Sequence, residues 1–302
     1  MDSKSTSVFA VVVTYNGIQW VDRCMGSLCQ SAVPVSVVIV DNASTDGIVQ
    51  YIQQSYPDVH VIETGSNLGF AKANDLGIRY ALDKGADYVF LLNQDAWIEN
   101  DTLGLLLSSF ADHEKAGIVS PMHFNGAGAD LDWKFAEYMP GSLVSDIFVG
   151  KRQAVYSTSF VNAAAWLISR ACIERVGGFD TSLFVHYGED SNYCQRVIYH
   201  GYEILLNTRS RIFHDREFRK GIEEEYRKKN FQQKDLARRL EWGNILNPID
   251  VDKFIRENKR SLLKARLKCR RKRIHRIKDE IAFLETVSKS RKTNIKGGLN
   301  WL

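Results

Sequence analysis

A chain of 302 residues, 44% hydrophobic and 25% charged with five prolines, holds enough apolar material for one large α/β unit and a smaller appendage, which excludes wholesale disorder. The net charge of +4 hides a split, because residues 253–302 carry 17 Lys and Arg against 4 Asp and Glu, leaving 23 against 32 in residues 1–252. The five cysteines form no Cys-x-x-Cys pair or zinc-spaced cluster, and no window approaches the ~20 apolar residues of a spanning helix, so a zinc module and a membrane span are excluded.

Met1 to Ser7 is polar and the apolar run Phe9 to Val13 is too short for the core of a signal peptide, so a reducing cytoplasm is expected, with membrane contact at most peripheral and on the inner face. Val8–Thr14 reads as a β-branched strand and Ile18–Cys29 as the helix after it. Val35–Val40 repeats the event and ends in Asp41-Asn42-Ala43-Ser44-Thr45-Asp46-Gly47, a cluster of turn and cap residues before a helix at Ile48–Tyr56. Val59–Glu63, Phe70–Lys84 and Tyr88–Leu92 continue as strand, helix and strand. Such alternation predicts a mainly parallel sheet with helices on both faces, and ligands of such sheets lie beyond the carboxyl ends of the strands. Those ends carry Thr14-Tyr15-Asn16, Asp41-Asn42 and Asn93-Gln94-Asp95.

Leu103–Phe110 is predicted as a helix and Gly117–Pro121 as a strand, and the Gly-rich stretch Asn125–Gly150 reads as a loop near an acceptor. Ala164–Ser169, Ala171–Val176 and Asp190–His200 read as strand, helix and helix, and Ile212–His214 as a last short strand. Beyond Arg219 the chain is charged and helical, with Pro248 breaking two helices. The expected division is a catalytic unit of residues 1–220 and a basic helical extension of residues 221–302.

Asp95 stands where an apolar strand emerges, which suits a ligand of Mg²⁺ or Mn²⁺, hard ions that bind diphosphate oxygens beside one or two protein carboxylates. Read structurally, it caps the next turn. Glu189 and Asp190 open a helix, where acids suit the dipole, but a cleft-facing Asp190 can also take the proton of an attacking hydroxyl. His214 follows Ile212-Phe213 and gains a role only if Asp95 holds a metal, because imidazole then completes the coordination. Asn67-Leu68-Gly69-Phe70-Ala71-Lys72-Ala73-Asn74 contains no Gly-x-Gly-x-x-Gly and the chain has no Gly-Lys-Ser/Thr loop, which disfavours an oxidoreductase and an NTP hydrolase.

In order along residues 8–215, Val13-Thr14-Tyr15-Asn16, Val40-Asp41-Asn42-Ala43-Ser44-Thr45-Asp46-Gly47, Asn67 to Asn74, Leu92-Asn93-Gln94-Asp95, Gly177-Gly178-Phe179-Asp180, Gly188-Glu189-Asp190 and His214 resemble glycosyltransferase family 2, the inverting family built on the GT-A nucleotide-diphospho-sugar transferase fold. The resemblance implies a donor site at Thr14, Tyr15, Asn16, Asp41, Asn42, Asn67, Lys72, Asn93 and Gln94, and a metal site at Asp95 and His214. It also implies Asp190 as catalytic base with Glu189 beside it. Asn93 departs from the family's Asp-x-Asp pattern as in its rhamnosyltransferase-like branch, which points to dTDP-rhamnose or a UDP-hexose as donor and to a glycan or lipid-linked acceptor. The competing reading is a catalytically silent nucleotide-sugar-binding protein that recruits partners through its basic tail.

In that tail Leu263, Leu267, Ile274, Ile277, Ile281 and Leu284 form a 4-3 stripe of about three heptads, broken at Arg270. The stripe suits a homodimer, packing on the catalytic unit, or, with its basic flanks, a helix lying on anionic lipid. Nucleic acid is disfavoured because no recognition motif accompanies the charge. On the lipid reading residues 253–302 are separable, and their removal leaves transfer to a soluble acceptor intact.

Overall fold

A computed structural model describes residues 6–184, 187–216 and 230–302. Its first half follows the expected alternation: β1 (Val8–Thr14), a 3₁₀ turn (Ile18–Trp20), α1 (Val21–Cys29), β2 (Val35–Asp41), α2 (Ile48–Ser55), β3 (His60–Glu63), α3 (Gly69–Asp83) and β4 (Tyr88–Asn93). Strand β1 lies between β2 and β4, parallel to both, and β3 adds a fourth parallel strand outside β2. Side chains alternate between sheet faces with period two, and both faces are buried. Thus Val11, Val38, Val40, Val89 and Leu91 pack under α3 on one face. On the other, Ala10, Val12, Val37, Ile39, Phe90 and Leu92 pack against α1 and α2.

The second half is mixed. It runs β5 (Ala96–Ile98), α4 (Thr102–Asp112), β6 (Ala116–Asn125), α5 (Trp133–Ala136), α6 (Gly141–Phe148), β7 (Val155–Thr158), β8 (Ala165–Ser169), α7 (Arg170–Val176), α8 (Glu189–Tyr199) and β9 (Glu203–His214). The sheet order is β3-β2-β1-β4-β8-β6-β9-β5, with β7 on β9. The mainly parallel character therefore holds up to β4, whereas β8 runs antiparallel to β4 and β6, and β9 is parallel to β6 and antiparallel to β5 and β7.

Two expectations need correction. Asn125–Gly150 is not all loop: Asp132 accepts a hydrogen bond from Phe135 N at 2.9 Å and caps α5, and Pro140 precedes α6, whose Leu143 is buried. Glycines at its two ends mask this short-range helical pattern. The last strand is not the three residues Ile212–His214 but the twelve of β9, whose polar Asn207, Thr208 and Ser210 are buried with hydrogen-bond partners at Leu105 O, Gln153 O and Asn207 O.

Helices α9 (Asn230–Gly243), α10 (Val251–Leu267) and α11 (Arg271–Lys296) complete the chain, and the expected boundary at 220/221 lies outside the described residues. Pro248 falls between α9 and α10 as expected, and Asp250 caps α10 by accepting from Lys253 N at 2.9 Å. The stripe is not one helix. Cys269 adopts a left-handed φ of 47° and folds α10 back along α11, so Ile277 and Ile281 pack on Ala265 inside a hairpin. Leu284 and Val287 join Leu183, Phe184, Val251 and Ile255 in a shared cluster with the catalytic unit. Leu263 and Leu267 are left 60% and 86% exposed at the hairpin's tip.

The hairpin is tied to the Gly177-Gly178-Phe179-Asp180 motif. The buried Asp180 carboxylate accepts from Ser182 Oγ at 2.6 Å, Leu183 N at 3.2 Å, Asn294 Nδ2 at 3.0 Å and Ser290 Oγ. Gly178 N donates to Asn300 O at 2.8 Å, and Gly177 has a φ of 85°, where a Cβ would fall only 2.4 Å from Asn300 O. Only glycine combines that φ with so close a backbone approach. Arg291 donates to Trp242 O at 3.1 Å, a carbonyl left over at the end of α9, and to Asn247 O at 2.7 Å in the loop that follows. The separability inferred from the charge split gives way to the opposite expectation. No helix among the described residues is long and apolar enough to cross a membrane.

Candidate active site

A cavity of about 660 Å³ opens at the carboxyl ends of β1, β2 and β4. Of the residues singled out in the sequence, Tyr15, Asn42, Asn67, Asn93, Gln94, Glu189 and Asp190 line it. Thr14, Asn16, Asp41, Lys72, Asp95 and His214 do not, and most of these have structural partners close by. The buried Asp41 carboxylate accepts from Thr14 Oγ1 at 2.7 Å and from Ser44 N at 2.8 Å, so it shapes the turn after β2. Asn16 accepts from Thr45 N at 2.8 Å and joins the loops after β1 and β2. Gln94 binds both sides of the Tyr15 backbone, accepting from N at 2.9 Å and donating to O at 3.2 Å. Asn42 accepts from Leu68 N at 3.2 Å, which holds the Asn67 loop against the cavity. Lys72 is exposed on α3.

Asp95 and His214 are brought together by an element the sequence did not disclose. Strand β5 pairs antiparallel with β9, setting Ala96 opposite His214, and Asp215 N donates to Asp95 O at 2.8 Å. Asp95 Oδ1 lies 3.4 Å from His214 Nε2, with both side chains fully buried. Of this pair the carboxylate suits a hard ion such as Mn²⁺ or Mg²⁺, whereas the imidazole is the softer ligand. Among the described residues no group of three or more such donors converges on a cation. A cation held here would have to take its remaining ligands from water or diphosphate, although neither side chain lines the cavity. Asn93 lines the cavity and places its Nδ2 3.4 Å from His214 Nε2.

Glu189 and Asp190 stand in the first turn of α8, entered through Gly188 at a φ of 89°. Burial pushes the Glu189 carboxyl up to about 7, reinforced by the neighbouring Asp190. Burial raises Asp190 as well, opposed by the Ser191 N–H, which donates to it at 2.7 Å, and by the charge of Arg216. Glu189 Oε2 has no hydrogen-bond partner although it is shut off from solvent. Two half-buried carboxyls whose proton affinities are raised above the ordinary range, Glu189 to about 7, are suited to proton transfer.

Four residues escape a reading of the sequence: Asp132, Lys134, Tyr138 and Arg216. Lys134, Tyr138 and Arg216 line the cavity, the first two from the segment expected to be loop. Burial alone would raise Asp132, yet the facing His214 imidazole and the Arg216 guanidinium hold it well below the usual carboxylate range. Its Oδ2 lies 2.5 Å from Arg216 Nε and 3.4 Å from His214 Nδ1. The available signal is Asp132 three residues before Phe135 in a capping position, which looks the same as any helix cap.

Several known proteins resemble this chain. It is 29% identical over 204 residues to the dTDP-rhamnosyl transferase RfbF of Shigella flexneri, covering 65% of each chain, just under two thirds of that relative's length. It is 29% identical over 220 residues to an N-acetylglucosaminyl-diphospho-decaprenol L-rhamnosyltransferase of Mycobacterium tuberculosis, covering 64% of this chain and 71% of the relative. Among solved structures, GalNAc-T7 with UDP, GalNAc and Mn²⁺ superposes with a TM-score of 0.57 at 16% identity, covering 71% of this chain and 44% of that one. The mannosyltransferase PcManGT from Pyrobaculum calidifontis, in complex with GDP-Man and Mn²⁺, gives 0.52 at 18% identity and covers 95% of this chain and 74% of its own. These likenesses are of fold, and the fold is the GT-A nucleotide-sugar transferase type expected from the motifs. Residues 9–177, more than half of the chain, match the model of Glycosyl transferase family 2, and the chain belongs to that family.

Proposed function

We propose that this protein is an inverting glycosyltransferase that moves a sugar from a nucleotide diphosphate donor, dTDP-rhamnose or a UDP-hexose, to a hydroxyl of a glycan or lipid-linked acceptor. The observation that carries this reading is the meeting of Glu189 and Asp190 with Tyr15, Asn42, Asn67 and Asn93 in one cavity at the strand ends. In this reading Asp190 takes the acceptor's proton while the acceptor oxygen bonds to the anomeric carbon and the bond from that carbon to the diphosphate oxygen breaks. Glu189 stands beside it. Tyr15, Asn42 and Asn67 hold the nucleoside, and Thr14, Asn16, Asp41 and Gln94 set the loops that present them; Lys72 adds charge beside the same loop. Residues 1–220 are the catalytic unit and 221–302 its helical extension, of which the described part, residues 230–302, braces it.

Asp95 and His214 would hold a divalent cation, which would neutralise the leaving diphosphate. A panel of NDP-sugars, titrated calorimetrically and then offered with acceptors in a transfer assay, tests the assignment. Mn²⁺ or Mg²⁺ is expected to strengthen binding of the matching nucleoside diphosphate, and Asp95→Ala to abolish that gain. Titrations that agree with and without EDTA would sink the metal site.

Attachment to the inner face of a membrane is the accompanying proposal, narrowed to the hairpin tip. Residues 263–273 carry seven Lys and Arg and no acid beside the exposed Leu263 and Leu267. Each basic residue near an anionic surface contributes about 1 kcal/mol, so salt-sensitive binding to phosphatidylglycerol vesicles is expected. Leu263→Ser with Leu267→Ser should reduce the bound fraction in co-sedimentation, and an unchanged fraction would count against this surface.

A further inference from the structure

Among the described residues two cations with different commitments line the cavity. Lys134 Nζ is paired with Glu137 Oε2 at 3.1 Å and lies 4.5 Å from the centroid of the Trp133 ring, so its charge is already engaged. Arg216 is held differently. Its Nε donates to the buried Asp132 carboxylate at 2.5 Å, while its two terminal nitrogens have no protein partner among the described residues. Asp132 itself is fixed from three sides: its backbone N donates to His123 O at 2.9 Å, its Oδ1 accepts from Phe135 N at 2.9 Å, and its Oδ2 faces His214 Nδ1. One carboxylate thus orients both the imidazole that faces Asp95 and the guanidinium that lines the cavity.

We propose that Arg216, oriented by Asp132, binds the terminal phosphate of the nucleotide donor and receives its charge as the sugar leaves, making Arg216 a catalytic residue and Asp132 a positioning residue. The proposal rests on the glycosyltransferase reading and deepens it. A guanidinium bound through Nε presents its outer pair of N–H groups as a fork, the geometry that matches two oxygens of a phosphate. The neighbouring chemistry makes such a charge useful. The position two residues before Asp95 is Asn93 rather than an acid, so a cation at Asp95 and His214 has one carboxylate ligand from the chain, and a fixed positive charge beside it supplements the neutralisation. Arg216 and Asp190 line the same cavity.

The test is calorimetric titration of the full chain with UDP, dTDP and GDP and with the corresponding monophosphates, in EDTA and in Mn²⁺. Wild type is expected to prefer one diphosphate over its monophosphate at least tenfold in EDTA. Arg216→Ala should erase that preference while leaving monophosphate affinity within about twofold, whereas Arg216→Lys should retain part of it, and Asp132→Asn should weaken the preference with Arg216 still present. Thermal midpoints near wild type confirm that each variant is folded, and Arg216→Gln replaces any that is not. An unchanged preference in Arg216→Ala, with wild type still favouring the diphosphate, overturns this proposal and leaves the glycosyltransferase reading standing. A wild type that binds none of the three diphosphates overturns both.

Discussion

Asp190→Asn is expected to bind the nucleotide donor as wild type does and to lose transfer by roughly 10²–10⁴-fold, the usual contribution of a positioned general base. The substitution keeps the volume and one acceptor oxygen, so the hydrogen bond from Ser191 N at 2.7 Å can persist and α8 need not move. What it removes is the ability to take a proton. The pH profile provides an independent reading of the same group. Burial raises Asp190 above its ordinary value and Glu189 to about 7, and the base works only when deprotonated, so transfer should rise with pH through a window above the normal carboxylate range. In stability the sign is opposite. The Glu189 contribution is complete below its unfolded pKa and is lost as pH rises through about 7, because the unfolded chain releases this proton earlier than the folded one. Near-wild-type turnover of Asp190→Asn with its true acceptor would remove Asp190 from the base role.

The parts of the molecule that are legible in the sequence are those in which local pattern and tertiary placement agree. Strands β1, β2 and β4 are continuous β-branched or apolar runs because both of their faces are buried, and their ends are marked by a switch to polar residues that coincides with the cavity edge. The Asp95–His214 contact is reachable only through the motif resemblance, since the pairing that creates it joins the three-residue strand β5 to residues more than a hundred positions away. Asp132 and Arg216 have no such signal. Their roles arise from a hydrogen bond between a helix cap and a residue just past a strand, and neither periodicity nor spacing encodes it. The tail shows the converse failure. Its heptad stripe is real, but Cys269 and Arg270 turn it back on itself, so Ile277, Ile281 and Leu284 face the other arm of the hairpin and the catalytic unit, while Leu263 and Leu267 are left exposed at its tip.

That docking makes Asp180→Ala the substitution with the largest expected cost in stability. Asp180 is fully buried, near the buried Arg196, and its two oxygens satisfy donors from its own turn and from Ser290 and Asn294 on α11. Removing the carboxylate leaves those donors unpaired and takes a negative charge from beside a guanidinium that keeps only neutral acceptors at Asn192, Val176 and Gly178. Breaking a buried charged network from one side costs about 3–5 kcal/mol, a large share of a total stability of about 5–15 kcal/mol. The thermal midpoint should fall by roughly 5–8 °C. Deleting residues 253–302 should do more, because Ile255, Leu284 and Val287 leave the cluster around Leu183 and Phe184, each side chain worth about 1.5–3 kcal/mol of burial. The truncated chain is then expected to be unfolded or insoluble rather than an active catalytic unit. Since Leu183 and Phe184 follow directly on Asp180, and Leu236 of α9 packs on the same cluster and closely approaches Gly188, the hairpin and α9 together brace the approach to Glu189 and Asp190. Unfolding curves of Asp180→Ala that match wild type within about 1 kcal/mol, or full transfer activity from residues 1–252, would show that the tail only rests against the enzyme.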